Sequence, residues 1–213
     1  MIGNEKKSEK CRILIEKLPI FSLENLKVFE LNENYLRIFL SREAKAKRII
    51  RLKKGIYTSK KFIEKMKEKG KYSEFLEFLA CKIYPPSYLS LDYVLYENNL
   101  LTEMPTNFTL ITKNKTAIFS NKLGNFIYHK IREDLFCGFK VIKKGGFFIL
   151  KATKAKALFD FLYLRKNLLL NKKAIQELRI NIEELSLKDK KELKKYIEKE
   201  RSQTMKRIYS QLL

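Results

Sequence analysis

The first thirty residues place apolar side chains at helical spacing. Residues 5–18 form a first predicted helix, which Pro19 ends. Residues 23–31 form a second one, with Ser22 as its predicted N-cap. The side chains expected to face a shared core are those of Cys11, Leu14, Ile15, Leu18, Leu23 and Leu26.

A third helix and a β-hairpin follow in the sequence. The helix is predicted to end near Ala46, and Leu36, Phe39 and Leu40 share its inward face. β-Branched and aromatic residues on both sides of Gly55 predict a tight hairpin. Three helices and a hairpin in about sixty residues have the size of one winged helix-turn-helix module.

Positive charge is concentrated on this third helix and hairpin. Residues 35–61 include ten Lys or Arg and one acid, Glu43. Arg37, Ser41 and Lys45 recur every four residues, so they share one helix face. Such a helix fits the major groove of DNA, and the hairpin tip then lies over phosphates. The alternative is a solvated helix face beside an ordinary turn. The predicted DNA-binding residues are Arg37, Ser41, Arg42, Lys45, Arg48, Arg51, Lys53 and Lys54, with Arg37 as the base reader.

The rest of the chain alternates between helical and strand-like periods. Residues 61–71 are almost entirely charged and are interpreted as an exposed helix or linker. Pro85-Pro86 end a helix over 73–83, and Ser87 or Ser90 is expected to cap the next helix, over 91–98. Strands are predicted over 108–112, 117–120, 126–131, 136–142 and 147–150, and helices over 153–164 and, as one long segment, 187–212.

These patterns predict an α+β protein with two domains. A winged helix-turn-helix DNA-binding domain over 1–60 is followed by the charged segment 61–71. A mixed α/β domain with a helical C-terminal tail completes the chain over 72–213.

Composition narrows the functional classes. The chain has 213 residues and a formal net charge of +22. Such a charge favours polyanions, nucleic acid first and anionic membrane second. Three distant cysteines without a CxxC pair argue against disulfides and zinc and suit a reducing compartment. The polar N-terminus lacks the apolar core of a secretory signal peptide. No apolar run reaches the ~20 residues that a helix needs to span a bilayer. We therefore expect a cytoplasmic protein that does not enter membranes.

Candidate catalytic chemistry is sparse. His129 is the only histidine and has no Cys or carboxylate at ligand spacing, so neither a metal site nor a Ser-His triad is predicted. Asp92 and Asp160 are expected to bond hydroxyls or backbone donors in structural roles. No phosphate-binding loop or dinucleotide-binding motif occurs. We expect no enzyme and no cofactor. A nuclease using carboxylates among the strands, or an RNA-binding module, stays open as an alternative.

Three stretches resemble the AbiEi-type antitoxin family of type IV toxin–antitoxin and phage abortive-infection systems. They are LSREAKAKRIIRLKKGIY over 40–57, YPPSYLSLDYVLYENNLL over 84–101, and a segment over 126–164 that ends in ATKAKALFDFLYL. The chain departs from the family pattern at Asn99, where Gly is usual, and at Lys154, where an acid is more frequent.

The resemblance implies a transcriptional autorepressor that binds inverted repeats in its operon promoter, as a dimer or in pairs. It also implies a second domain that counteracts a nucleotidyltransferase-like toxin encoded nearby, without stable binding to it. The alternative within this reading is a DNA-binding regulator with no toxin partner.

Overall fold

The computed structural model describes residues 2–213, with side chains from residue 6 onward, as a mixed α+β fold. The chain divides into two compact units. Unit 1 comprises the chain up to Leu79 together with Phe119–Gly124. Unit 2 comprises Ala80–Ile118 and Asn125–Leu213.

Unit 1 is built from helices and one β-hairpin. Its apolar side chains form a core in which Cys11, Leu26, Leu36 and Phe39 are buried. The inward positions predicted for these four residues are therefore confirmed. The elements are α1 (Ile2–Lys17), a 3-10 helix (Glu24–Phe29), α2 (Glu33–Lys45), β1 (Ile49–Lys53), β2 (Ile56–Ser59), α3 (Lys60–Glu68) and α4 (Tyr72–Ile83), whose last residues belong to unit 2.

The second predicted helix is present, but it is a 3-10 helix of six residues, shorter than the predicted span 23–31. Ser22 lies outside it, and its backbone N–H donates to Asn25 Oδ1 at 2.8 Å. Glu30 takes the left-handed conformation, with φ of 52°. A left-handed residue cannot continue a helix, so the element stops after six residues.

Helix α3 occupies most of the segment that was interpreted as an exposed helix or linker. Ser59 caps it by accepting a hydrogen bond from the N–H of Phe62. The side chains of Phe62, Ile63 and Met66 are buried, and the charged residues between them are exposed. The ring of Phe62 packs against Phe75, with centroids 5.2 Å apart. Helix α3 is thus part of the core of unit 1.

The rest of the chain contains six strands and five α-helices among the described residues. The elements are β3 (Ser87–Leu89), α5 (Leu91–Glu97), β4 (Phe108–Thr112), β5 (Ala117–Asn121), β6 (Gly124–Lys130), β7 (Phe139–Lys144), β8 (Phe147–Ala152), α6 (Lys154–Arg165), α7 (Lys172–Gln176), α8 (Leu187–Glu200) and α9 (Gln203–Leu212), with 3-10 turns at Glu133–Leu135 and Ile182–Glu184. The six strands form one mixed sheet with the order β5-β6-β4-β3-β8-β7. Strands β3 and β4 pair antiparallel, β3 and β8 parallel, β4 and β6 parallel, and β7 and β8 antiparallel.

Of the two residues predicted as caps of the next helix, Ser90 lies at the N-cap position of α5. Ser87 does not; it begins strand β3 (Ser87–Leu89), which lies between β4 and β8. All three of these residues are buried, so they show no alternation of polar and apolar side chains. The long helical segment expected over 187–212 is two helices, because Arg201 has φ of 72° and Ser202 caps α9.

Candidate nucleic-acid interface

Helix α2 separates a basic face from an apolar one. Leu36, Phe39 and Leu40 are buried, as their spacing predicted. Arg37, Ser41, Arg42 and Lys45 are exposed, so the local helix period places all four predicted contact residues of α2 at the surface. Asn32 fixes the start of the helix, because its side chain accepts a hydrogen bond from the N–H of Asn34 at 2.8 Å.

Arg37 lies in the first half of α2 with 65% of its side chain exposed. Its guanidinium is hydrogen-bonded to Glu33, one turn earlier, with Nη2 2.5 Å from Oε1. The pair holds the Arg37 side chain along the helix and lowers the pKa of Glu33. Ile38, next to Arg37, exposes 51% of its surface. An exposed apolar residue on this face can contact a thymine methyl group, and the charge pattern gave no sign of it.

Glu43 ties the basic helix to its neighbours. It is 1% exposed, although it is the one acid among the cations of this region. Arg48 at the start of the hairpin donates to both of its oxygens, at 2.6 and 2.9 Å, and Arg12 of α1 donates at 3.1 Å. Burial raises the pKa of Glu43, but these hydrogen bonds outweigh burial and hold that pKa below its ordinary value. We call these three side chains the Glu43 clamp.

The clamp changes the role expected of Arg48. Its guanidinium is held by both carboxylate oxygens, whereas the sequence suggested a free contact for DNA. The side chain remains 54% exposed, so one edge still faces solvent. Sequence reasoning missed the clamp, although a single acid at an inward-facing helical position was a usable signal.

The hairpin is attached to the core through Phe21 and Tyr57. The backbones of these two residues exchange hydrogen bonds of 2.9 and 2.8 Å, and their rings stack with centroids 5.9 Å apart. Thr58 adds a hydrogen bond to the carbonyl of Pro19 at 2.9 Å. The hairpin therefore has a fixed position against the chain that follows α1.

The two lysines at the hairpin turn differ in environment. Lys54 is exposed beside Gly55, which has φ of 80°. Lys53 is half-buried, with its Nζ 5.7 Å from the ring centroid of Phe119 in unit 1. Burial lowers the pKa of Lys53. Asn121 also donates to the carbonyl of Leu52 at 3.3 Å. Of the two lysines of the turn, Lys54 is therefore the more exposed to solvent. Arg51, on β1, is exposed as well.

The two aspartates singled out in the sequence make internal contacts in unit 2. Asp160 is fully buried and accepts hydrogen bonds from Tyr88 at 3.0 Å, from Ser90 at 2.8 Å and from the ammonium of Lys156. Ser90 stands at the N-cap position of α5, but its hydroxyl donates to Asp160 instead of accepting from the helix. Burial and the neighbouring carboxylate raise the pKa of Tyr88. A network closed to solvent in this way supports the fold.

His129 lines a cavity of about 740 Å³ in unit 2 together with Asp92 and Arg165. Arg165 donates to the two oxygens of Asp92 at 3.2 and 3.4 Å. Burial lowers the pKa of His129; the charge of Arg165 lowers it further, while Asp92 acts in the opposite direction. The surroundings of His129 thus favour the neutral imidazole. Among the described residues, no group of three or more His, Cys, Asp or Glu side chains could hold a metal ion.

Comparison with known proteins finds neither a matching family model nor a matching curated protein. None of the helices in the described part of the chain combines the length and the apolar composition needed to cross a bilayer.

Proposed function

We propose that unit 1 is a winged helix-turn-helix module that binds duplex DNA through α2 and the β1–β2 hairpin. The observation that carries this proposal is the exposed face of α2, where Arg37, Ser41 and Lys45 lie opposite a buried apolar face. A helix of this kind can enter the major groove with its long polar side chains directed at base edges.

Each part of the interface then has a distinct physical role. Arg37 can donate two parallel hydrogen bonds to guanine O6 and N7, which only a planar guanidinium does well. Lys45, Arg51 and Lys54 supply charge to phosphates and carry no sequence information. The Glu43 clamp holds the helix and the hairpin in one fixed arrangement, so that groove and backbone contacts form together.

We further propose that the chain is an AbiEi-type antitoxin that represses its own operon. This proposal is supported by the three sequence stretches over 40–57, 84–101 and 126–164 and by their order in the chain. Repression would be steric, because a protein seated on an inverted repeat in a promoter blocks polymerase. Unit 2, whose buried polar network is structural, would counteract a nucleotidyltransferase-like toxin without stable binding to it.

DNA recognition is tested by selecting binding sites from a random duplex library and measuring affinities for the selected site and a scrambled one. Arg37→Ala is expected to weaken the binding free energy for the selected site by roughly 1–3 kcal/mol and to reduce the preference for that site over the scrambled one. Lys54→Ala should weaken binding to both duplexes alike and reduce the salt slope by about 1.

The matched control is Lys65→Ala, which removes one exposed charge from α3, outside the helix and hairpin. It should behave like the wild type on both duplexes. Unchanged sequence discrimination in Arg37→Ala, or an equal effect of Lys65→Ala, would show that α2 does not read DNA.

The antitoxin role is tested with the gene immediately downstream. If that gene encodes a nucleotidyltransferase-like protein, its expression alone should arrest growth, and co-expression of this chain should restore it. Arg37→Ala should lose repression of the promoter while still restoring growth. A chain that represses the promoter but never restores growth would be a regulator without a toxin partner.

A further inference from the structure

Strand β7 has one free edge. It is the last strand in the sheet order and pairs antiparallel with β8, from Phe139 opposite Ala152 to Lys144 opposite Phe147. On its other side, no strand of the described residues pairs with it. Backbone N–H and C=O groups along that side are therefore available to a further strand.

Three apolar side chains beside this edge are exposed. Val141 exposes 63% of its surface and Phe148 57%. They share one face of the hairpin, because Val141 pairs with Leu150, Lys143 pairs with Phe148, and paired residues point to the same side. Ile142 is exposed on the opposite face. Contiguous apolar side chains at a surface mark interaction sites more often than chance exposure does.

The β7–β8 hairpin and the residues next to it in sequence carry charge of a single sign. No acidic residue occurs between residues 135 and 159, and β7 itself carries Lys140, Lys143 and Lys144. Lysines on an edge strand disfavour pairing with a second copy, since like charges opposite one another destabilise a strand pair. Carboxylates at the same positions would instead be attracted.

We propose that the free edge of β7 is a docking surface for an acidic partner protein, which adds an extended segment of alternating carboxylate and apolar side chains to the sheet. Backbone hydrogen bonds along β7 would supply affinity, and the side chains would supply selectivity. Apolar residues of the partner would cover Val141 and Phe148, and its carboxylates would lie near the lysines. The residues of this surface belong to unit 2, whereas those of the proposed DNA interface belong to unit 1.

The test uses the full chain and a labelled peptide of alternating Glu and Val, equal in length to the six residues of β7. The comparison peptide alternates Glu and Pro, so it has the same charge but pairs less well with a strand, because proline removes every second N–H donor and restricts the backbone. Fluorescence anisotropy gives the affinities, and hydrogen exchange gives the protection of the β7 amides. We expect the Glu-Val peptide to bind about tenfold more tightly than the Glu-Pro peptide and to slow exchange in β7.

Two variants and a matched control locate the binding. Lys140→Glu/Lys143→Glu/Lys144→Glu should lose about tenfold in affinity or more. The matched control, Lys191→Glu/Lys194→Glu/Lys195→Glu, makes the same change in net charge at exposed positions of α8 and should keep most of the affinity. Phe148→Ser should weaken binding of the Glu-Val peptide without any change in charge. All substituted side chains are exposed, so the variants are expected to fold.

Several results would overturn the proposal. If the two triple variants lost the same affinity for the Glu-Val peptide, net charge alone would explain the binding. If the peptide did not slow hydrogen exchange of the β7 amides, strand addition would be excluded. Self-association that is abolished by Val141→Asp would identify a second copy as the occupant. If the triple variant of β7 lost more affinity for duplex DNA than the triple variant of α8, the occupant of this surface would be nucleic acid.

Discussion

Asp160 and Lys156 form an ion pair in which neither side chain is exposed to solvent. Replacing Asp160 by Asn leaves the ammonium without a counter-charge inside unit 2. The rings of Phe159, Tyr196 and Tyr88 lie 4.7, 5.4 and 6.0 Å from its Nζ, and they compensate only part of the lost attraction. Breaking a buried pair by removing one partner costs about 3–5 kcal/mol, and we expect Asp160→Asn to lower the free energy of unfolding by that amount.

The double variant Lys156→Met/Asp160→Asn provides the decisive comparison. It removes both charges, while the Asn amide can still accept a hydrogen bond from Tyr88 or Ser90. Replacing a whole buried pair by uncharged groups is often neutral, so the double variant should recover most of the loss. The coupling energy from this cycle should therefore be large, on the order of 2 kcal/mol or more.

Urea unfolding followed by far-UV circular dichroism measures the cycle. Asp134→Asn is the matched control, because that carboxylate is half-exposed and paired with Arg132 at the surface. It should leave the unfolding curve in place. A midpoint for Asp160→Asn within error of the wild type, or a double variant less stable than either single one, would refute the assignment of a buried charge pair.

Three further predictions concern other contacts. Glu43→Gln should lower the free energy of unfolding by about 1–2 kcal/mol, because it weakens hydrogen bonds to charged partners that are themselves partly exposed, and it should weaken DNA binding in the same titrations. In the wild type, the pKa of Glu43 is lowered by folding, so its ionised carboxylate stabilises the folded state above the unfolded pKa, near 4.5. This stabilisation is lost as pH falls through the folded pKa. Urea unfolding at a series of pH values from neutral to acid should therefore show a loss of stability in the wild type that is absent in Glu43→Gln. Gly138→Ala should cost roughly 1–3 kcal/mol, measured by thermal unfolding, because Gly138 has φ of 75° and a Cβ there would overlap the phenol of Tyr196.

The local pattern of polar and apolar side chains was sufficient to predict much of the secondary structure. The inward residues of α2, the bounds of β4 and the start of α6, one residue after the predicted Thr153, all follow from spacing and capping within a few neighbouring residues. The surface position of the basic side chains on α2 belongs with these features, because a helix period fixes which residues share a face. Such relations are decided by the backbone within one or two turns, so the sequence alone contains them.

Contacts between distant parts of the chain were decided only by the tertiary structure. All three residues of strand β3 are buried and the strand lies between β4 and β8, so its sequence shows no alternation of polar and apolar residues. Glu43 is buried because Arg12 and Arg48 meet it from other elements, and Lys53 is partly covered because Phe119 packs against it. Residue type and local spacing do not specify these partners. Burial and pairing depend on which segments the folded chain brings together. For this reason, the neighbouring residues Lys53 and Lys54 have different environments.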